Sequence, residues 1–236
     1  MQFDGKQVLV VGGSSGIGEA AARAFAERGA AVTIVSRDAR KLADSAARIG
    51  HEVRTAALDI TDDDGVRAWL DTAGAFDHVV VSAAQTATGP VRGLDLKDAQ
   101  AAMDSKFWGA YRVARAVRIR EGGSLTFVSG FLSVRPSGAS VLQGAINAAL
   151  DALARGLALE LAPVRVNTVS PGLIATPLWS KLDEAAREKL YEGAAGRLPA
   201  RRVGQPEDVA NAIVYLAATP YATGSTVLVD GGGAIA

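Results

Sequence analysis

The sequence contains no cysteine, which excludes disulfides, thiol nucleophiles and metal sites built on thiolates. Its two histidines, His51 and His78, are isolated from each other, so we expect no metal site. The chain also carries no excess of either charge, because 25 basic residues balance 25 acidic ones. A protein that binds nucleic acid or an anionic membrane normally displays a positive surface, and we predict neither kind of partner.

Long apolar runs are missing as well. No uninterrupted apolar stretch approaches the length of a membrane-spanning helix, and no basic segment followed by an apolar one resembles a secretory signal. We therefore expect a cytoplasmic protein. A length of 236 residues suits one domain, so residues 1–236 are predicted to form a single unit.

The sequence is rich in apolar runs that break into glycine. The first is Val8 to Val11, which leads into the run GGSSGIG from Gly12 to Gly18 and then into an alanine-rich helical pattern over residues 19–28. A strand, a glycine turn and a helix N-terminus together form an anion site, because free backbone N–H groups and the helix dipole converge there. The spacing is related to the G-x-G-x-x-G fingerprint without copying it. It predicts a site for a nucleotide pyrophosphate; a plain strand-to-helix turn is the alternative.

Strand and helix patterns alternate along the rest of the chain. Strands are predicted at residues 8–11, 31–35, 52–58, 77–81, 124–129, 164–169 and 226–230. Helices are predicted at residues 19–28, 39–49, 66–73, 94–118, 141–161 and 206–216. This alternation predicts an α/β fold, a Rossmann-type doubly wound parallel sheet of about seven strands with helices on both faces.

The residues that end the second strand bear on the cofactor. An acidic side chain at this place accepts from a ribose 2′-hydroxyl, whereas a basic one accommodates a 2′-phosphate. Ser36 and Arg37 stand here, which favours NADP(H) over NAD(H). Arg37 is alternatively an ordinary exposed arginine, and Asp38 either neutralises it or caps the next helix.

Two further strand ends carry candidate cofactor contacts. Asp59 follows the third strand, where it would meet the adenine amino group or cap the following helix. Ala83 and Ala84 follow the fourth strand, and their small side chains would let a flat ring approach the backbone.

The second half of the chain suggests an oligomer and a lid. The pattern over residues 141–161 is apolar on more than one face, so this helix and the one at 94–118 predict a homo-oligomer, a dimer or tetramer. Residues 177–200 read as a lid-like insertion over a cleft. Its apolar side chains, Trp179, Leu182 and Leu190, indicate a small apolar substrate.

These motifs, taken in order, resemble the short-chain dehydrogenase/reductase family across essentially the whole chain. The matching pieces are Gly12-x3-Gly16-x-Gly18, Asp59, the strand at Asp77, Ser170-Pro171-Gly172 to Thr176, Gly204 to Asp208, and Thr223-Gly224 to Asp230-Gly231-Gly232. The resemblance implies a nicotinamide-dependent oxidoreductase. It places the adenosine and phosphates along Gly12, Ser14, Ile17, Arg37, Asp59 and Ile60, the ribose beside Ala83, and the nicotinamide carboxamide on Ile174 and Thr176. The predicted cofactor site also includes Ser15, Gly16, Gly18, Ser36, Ala84, Asn147, Pro171 and Gly172.

The family's catalytic Asn, Ser, Tyr and Lys are all replaced. Alignment on the fifth strand places Lys106 at the asparagine position, Gly130 at the serine, Gln143 at the tyrosine and Asn147 at the lysine. A glutamine amide donates a hydrogen bond but transfers no proton near neutral pH. Loss of a general acid typically costs on the order of 100- to 10,000-fold in rate.

Three hypotheses follow from this replacement. The protein is an oxidoreductase with a non-standard active site, a silent NADP(H)-binding regulator or subunit, or a structural partner that binds no nucleotide. For the first, the candidate catalytic residues are Lys106, Ser129, Gln143 and Asn147. The substrate would then be one whose reduction depends little on a general acid, such as an iminium or an activated alkene. Lys106 is either a desolvated lysine that titrates near neutrality or an exposed helical lysine. Ser129 is either a catalytic hydroxyl or one bonded at a strand end.

Overall fold

The computed structural model describes residues 2–180 and 182–236. Its centre is a sheet of seven parallel strands in the order β3-β2-β1-β4-β5-β6-β7. The strands are β1 (Gln7–Val11), β2 (Ala31–Ser36), β3 (Arg54–Ala57), β4 (Ala75–Val81), β5 (Arg118–Val128), β6 (Arg165–Pro171) and β7 (Thr226–Val229). The predicted fold class is confirmed.

Helices connect the strands and cover both faces of the sheet. The α-helices are α1 (Gly16–Ala26), α2 (Ala39–Ile49), α3 (Asp63–Ala73), α4 (Leu96–Met103), α5 (Gly109–Ala116), α6 (Val141–Glu160), α7 (Glu184–Arg197) and α8 (Pro206–Ala218). A π-helical turn (Asp104–Trp108) joins α4 to α5, and short 3₁₀ turns occur at Phe131–Ser133 and Pro177–Trp179.

Successive residues of the central strand β1 point into two separate cores. Val8 and Val10 of β1 pack with Phe25 of α1 and Ile213 of α8 on one face. Leu9 and Val11 pack on the other face, in a cluster with Val113 of α5 and Leu150 of α6. Because side chains alternate across a strand, strands that are apolar at every position bury both faces. This explains why the strand runs lack the polar alternation of a half-exposed sheet.

The strand order reverses between β1 and β4. In sheets of this kind the carboxyl ends of the strands at the reversal flank a crevice. The glycine turn follows β1 and Ser82 follows β4, so both border this crevice. Gly12 has a φ of 91°, and a Cβ added there would lie 2.5 Å from the backbone nitrogen of Ala83. Glycine is therefore required at the floor of the crevice.

The predicted helix over residues 94–118 is wrong at its C-terminal end. The helix ends at Ala116, and Arg118 already pairs with Ala75 as the first residue of β5. Gly122 and Gly123 lie inside β5, where the register shifts against β4. A Cβ at Gly123 would lie 2.3 Å from the Asp77 carbonyl oxygen. The glycines permit this irregularity in a strand, whereas the sequence pattern suggested a helix break.

Smaller differences concern other boundaries. Helix α1 ends at Ala26 instead of residue 28, β3 is shorter than residues 52–58, and β6 continues to Pro171. The predicted lid contains the Pro177–Trp179 turn and α7, while Lys181 within it lies outside the described residues. In the part of the chain that the structure describes, no helix is long and apolar enough to span a bilayer.

Candidate active site

The glycine turn leaves polar groups free at the N-terminus of α1. Ser15 is the N-cap residue, yet its hydroxyl makes no capping bond. Among the described residues, the backbone nitrogens of Ser14 and Ser15 donate to no backbone carbonyl, whereas Gly12 and Gly13 both donate to Val35. Unpaired N–H groups at a helix N-terminus form an anion site. The geometry agrees with the predicted pyrophosphate site.

Helix α1 lies very close to the strand that precedes it. A Cβ at Gly18 would be 2.1 Å from the Gly12 carbonyl oxygen and 2.6 Å from Ser82 Oγ. On the other side of the turn, a Cβ at Gly16 would be 3.3 Å from the Thr176 methyl group. The predicted phosphate and carboxamide residues, far apart in sequence, are therefore neighbours.

The end of β2 presents an exposed arginine. The Asp38 carboxylate accepts from the backbone nitrogens of Arg40 and Lys41, at 3.0 Å each. These backbone bonds lower the pKa of Asp38 and identify it as the N-cap of α2. Within residues 2–180 and 182–236, Arg37 makes no ion pair, and the buried Ser36 Oγ has no hydrogen-bond partner. Of the two roles considered for Asp38, the structure supports the cap.

Asp59 and Ile60 lie at the next strand end. The Asp59 carboxylate accepts from the backbone nitrogen of Thr61 at 2.9 Å and from its hydroxyl at 2.8 Å. The cap of α3 is Asp62, so Asp59 orders the turn before the helix instead. The Ile60 side chain is buried against Gly109, which leaves its backbone as the part able to face adenine.

The segment after β6 is fixed from both sides. Gly172 lies against Asp230, where a Cβ would be 2.7 Å from the Asp230 Cα. Ile174 is buried and forms an isolated bridge with Gly204. The Trp179 indole nitrogen donates to the Ile174 carbonyl oxygen at 2.9 Å. These contacts fix the backbone between Pro171 and Thr176, where the resemblance places the carboxamide contacts.

The predicted catalytic residues form one buried polar cluster. Lys106, on the π-helical turn, is only 7% exposed. Its Nζ donates to the backbone oxygen of Ser129 at 2.6 Å and to Asn147 Oδ1 at 2.7 Å. Gln143 Nε2 donates to the same Asn147 oxygen at 3.3 Å. Lys106 is therefore not an exposed helical lysine. It reaches from the π-helical turn to Asn147 on α6.

Burial controls the charge of this lysine. Desolvation lowers the pKa of Lys106 from its usual value to about 8, while the negative charge of Asp151 opposes the shift. Such a lysine is mainly protonated at neutral pH and exchanges a proton at only slightly higher pH. A π-helical turn within a helix frequently marks a functional site.

Glycine at position 130 belongs to the same arrangement. A Cβ there would lie 2.6 Å from the amide nitrogen of Asn147, which is itself buried. A serine at this position would therefore displace the Asn147 side chain. Glycine at position 130 and asparagine at position 147 therefore fit together sterically.

The side chains of Ser129 and His78 take little part in the polar cluster around Lys106. The Ser129 hydroxyl makes only a long contact, 3.5 Å, to the Val169 carbonyl oxygen, and it is the Ser129 backbone oxygen that meets Lys106. His78 lies in the core with Nδ1 2.9 Å from Ser124 Oγ, and burial lowers its pKa to about 4. No group of three His, Asp or Glu side chains within the described residues is arranged to hold a metal ion.

A cavity of about 580 Å³ lies against the N-terminal part of α6. Its walls are the Phe131–Ser133 turn, the loop that follows and the N-terminal part of α6; the lining residues include Leu132, Pro136, Val141, Gly144, Ala145 and Ala148. Ser133 also lines the cavity, and its buried hydroxyl has no hydrogen-bond partner. The cavity would suit a small, mainly apolar molecule with one polar group.

Comparison with known proteins decides the family. Residues 11–233 match the family model described as enoyl-(acyl carrier protein) reductase. The chain belongs to the short-chain dehydrogenase/reductase family. It is similar to glucose 1-dehydrogenase of Gluconobacter oxydans, with 33% identity over 98% of this chain and 92% of the relative. This short-chain dehydrogenase/reductase is thus an oxidoreductase by family, as expected from its motifs.

Solved structures of the family share the whole fold. A small-chain dehydrogenase in complex with NADPH superposes with a TM-score of 0.85 at 33% identity, over 99% of this chain and 100% of that one. An NADPH-bound short-chain oxidoreductase from Pseudomonas aeruginosa PAO1, described as containing an atypical catalytic center, gives a TM-score of 0.90 at 28% identity, over 98% of both chains.

Sequence reasoning treated Lys106 and Asn147 as two separate replacements and missed that they are in contact. The signal was present, because the predicted alignment assigns the lysine to the family's asparagine position and the asparagine to its lysine position. Asp151, one helical turn beyond Asn147, was missed entirely. The four-residue spacing of Gln143, Asn147 and Asp151, which places them on one face of α6, was the pattern that could have revealed it.

Proposed function

We propose that the protein transfers a hydride between NADP(H) and a small apolar substrate, with Lys106 as the residue that supplies or takes up the proton. The observation that carries this proposal is the buried Lys106 ammonium, 2.7 Å from Asn147 Oδ1. The residue types are those of the family's lysine and asparagine with their positions exchanged. A proton-transferring group is thus retained although position 143 is glutamine.

The chain's own groups suit the adenosine end of NADP(H). The free N–H groups of Ser14 and Ser15 would bind the pyrophosphate. Arg37, which lies beside the partnerless Ser36 hydroxyl, would bind the 2′-phosphate. Asn147 would face the nicotinamide ribose. The nicotinamide, when bound, supplies or accepts the hydride.

Lys106 would donate a proton in the reductive direction. With a pKa of about 8, its ammonium is the dominant form at pH 7 and is still acidic enough to transfer a proton. Two of its three N–H groups are occupied by Ser129 and Asn147, which leaves one donor. The Gln143 amide would orient the substrate without taking part in proton transfer.

The charge of this lysine narrows the substrate class. A buried ammonium repels a cationic iminium and stabilises an oxygen that gains negative charge during hydride addition. We therefore propose a conjugated enone or a quinone ahead of an iminium. The family model, whose description is an enoyl reductase, also supports the reduction of an activated double bond. The apolar cavity beside α6 would hold the remainder of the molecule.

We also propose a homo-oligomer, formed through the helical segment predicted at residues 94–118 and the helix predicted at residues 141–161. Trp108 and Tyr111 are 46% and 41% exposed and pack edge to face at 5.7 Å. Val141 is 45% exposed at the start of α6. Aromatic and aliphatic side chains that are partly exposed to solvent commonly mark a protein–protein interface. Sedimentation analysis would test the prediction of a dimer or tetramer.

The direct test is an assay of binding and of turnover on the same preparation. Titration with NADPH should quench tryptophan fluorescence, with Trp179 as the tryptophan nearest the predicted carboxamide site. NADPH should then be consumed with enones or quinones and only weakly with imines. Binding without any turnover would favour the silent NADP(H)-binding protein, and no binding at all would favour the structural partner.

The preference for NADP(H) depends on Arg37. We expect Arg37→Ala to weaken NADPH binding by roughly 10- to 100-fold, because a charge-assisted bond to the 2′-phosphate contributes about 1.5–3 kcal/mol. NADH, which lacks this phosphate, should bind with unchanged affinity. Calorimetric titration of both nucleotides measures the difference. Arg40→Ala, an equally exposed arginine three residues further on, is the matched control; equal losses in the two variants would contradict the assignment.

A further inference from the structure

We infer that Asp151 is the buried counter-charge that holds Lys106 protonated and directed toward Asn147. Asp151 lies on the face of α6 that carries Gln143 and Asn147, and all three are more than nine-tenths buried. One carboxylate oxygen of Asp151 is buried without a hydrogen-bond partner. Asp151 is thus a positioning residue for the proton-transferring group, and this role rests on the proposed function of Lys106.

The electrostatic argument starts from the cost of burial. A lysine and a carboxylate that are both removed from water are each costly when alone, and each offsets the cost of the other. No ion pair within 4.0 Å joins Lys106 to Asp151 among the described residues. The negative charge of Asp151 still acts on Lys106, at a longer range than an ion pair, where the low dielectric of the interior preserves the attraction.

Other charges near Lys106 are paired or exposed. Asp104 and Arg112, on the same helical segment, are bound to each other at 2.8 Å, and Asp104 is partly open to solvent. Arg155, one turn beyond Asp151 on α6, is exposed. Arg135, after the Phe131–Ser133 turn, donates to the Gly233 carbonyl oxygen. Water screens the exposed groups, and Asp151 is the charge that acts on Lys106.

Two residues of α6 act on Lys106 in different ways, one through a hydrogen bond and the other through its charge. Gln143 Nε2 and Lys106 Nζ both donate to Asn147 Oδ1, so the asparagine holds the lysine from one side. Asp151 holds the positive charge from one turn further along the helix. Without this carboxylate, burial would shift the lysine further toward the neutral amine, which cannot donate a proton.

The experiment is a titration of the lysine itself in the folded protein. Lysine side-chain nitrogens are labelled with ¹⁵N, and the Lys106 signal is assigned by its loss in Lys106→Met. In Asp151→Asn we expect its titration midpoint to fall by about one pH unit, a tenfold loss of proton affinity. Glu160→Gln removes an exposed carboxylate from the same helix and should leave the midpoint unchanged. Asp151→Glu keeps the negative charge, so its Lys106 midpoint should be close to that of the wild type.

An unchanged Lys106 midpoint in folded Asp151→Asn would overturn the inference. If that variant is too unstable to titrate, the free energies of unfolding of Lys106→Met, Asp151→Asn and the double variant decide instead. The double variant should lose less free energy of unfolding than the two single variants lose together, because each single change leaves one buried charge without its partner. Strictly additive losses would overturn the inference. Neither measurement uses turnover, so failure here is distinct from failure of the proposed reaction.

Discussion

Replacing Lys106 by methionine should lower kcat by roughly 100- to 10,000-fold, which is the usual contribution of a general acid. Binding of NADPH should change little, because Lys106 bonds to Asn147 and Ser129, whereas the other groups proposed for the nucleotide lie on the glycine turn, just after β2 and after β6. Stopped-flow oxidation of NADPH with an enone, together with fluorescence titration of the nucleotide, separates the two quantities. Lys97→Met is the matched control, as Lys97 is exposed on α4, the helix that leads into the π-helical turn.

The pH dependence provides a second readout of the same prediction. The donor must be protonated, and burial sets the pKa of Lys106 at about 8. Reduction should therefore be independent of pH well below 8 and fall tenfold per pH unit above it. A Lys106→Met enzyme that keeps its kcat, or a wild-type profile without a basic limb, would contradict the assignment. Melting curves of both lysine variants show whether the folded state survives the change.

Replacing Gly18 by alanine should cost about 3 kcal/mol of stability and roughly tenfold in NADPH affinity. The new Cβ would lie 2.1 Å from the Gly12 carbonyl oxygen and 2.6 Å from Ser82 Oγ. Because one of these atoms is backbone, α1 must move away from β1, and overpacking of this kind costs about 1–3 kcal/mol or more. The movement would also displace the N–H groups of Ser14 and Ser15. Chemical denaturation and calorimetric titration measure the two effects.

Gly156→Ala is the control for this change. Gly156 lies within α6, and a Cβ there would meet no atom within 4 Å. Alanine should therefore stabilise the protein by about 0.5–1 kcal/mol, since glycine is the poorer helix former. If the Gly18→Ala protein has the melting temperature and the NADPH affinity of the wild type, the glycine turn does not position the pyrophosphate.

The parts of the fold that were predictable are those with a local pattern. Val8 to Val11 are apolar at every position because both faces of β1 are buried, and such runs predict parallel strands directly. Gly122 and Gly123 were misjudged because a glycine pair marks a helix break and a strand irregularity equally well. The register shift that distinguishes the two depends on β4, which is far away in sequence.

The candidate site was predictable as a set of positions but not as an arrangement. The order of motifs placed Lys106, Gln143 and Asn147 at the family's catalytic positions, and the resemblance to short-chain dehydrogenase/reductases supplied the expected roles. The burial of Lys106 could not be foreseen, since its neighbours Phe107 and Trp108 suit either the core or the rim. Burial depends on how the π-helical turn packs against β5 and α6.

The sequence alone therefore determined the sheet and the glycine turn, and it predicted the candidate phosphate residues and the replacement of the family's tyrosine, because each is encoded in neighbouring residues or in a single residue type. Only the tertiary structure decided that Lys106 reaches Asn147, that Gly130 makes room for the asparagine amide, and that Asp151 is buried on the same helix face. The contact between Lys106 and Asn147, which are 41 positions apart, arises from helix packing on the sheet, and the charge of a lysine depends on the solvent that such packing removes.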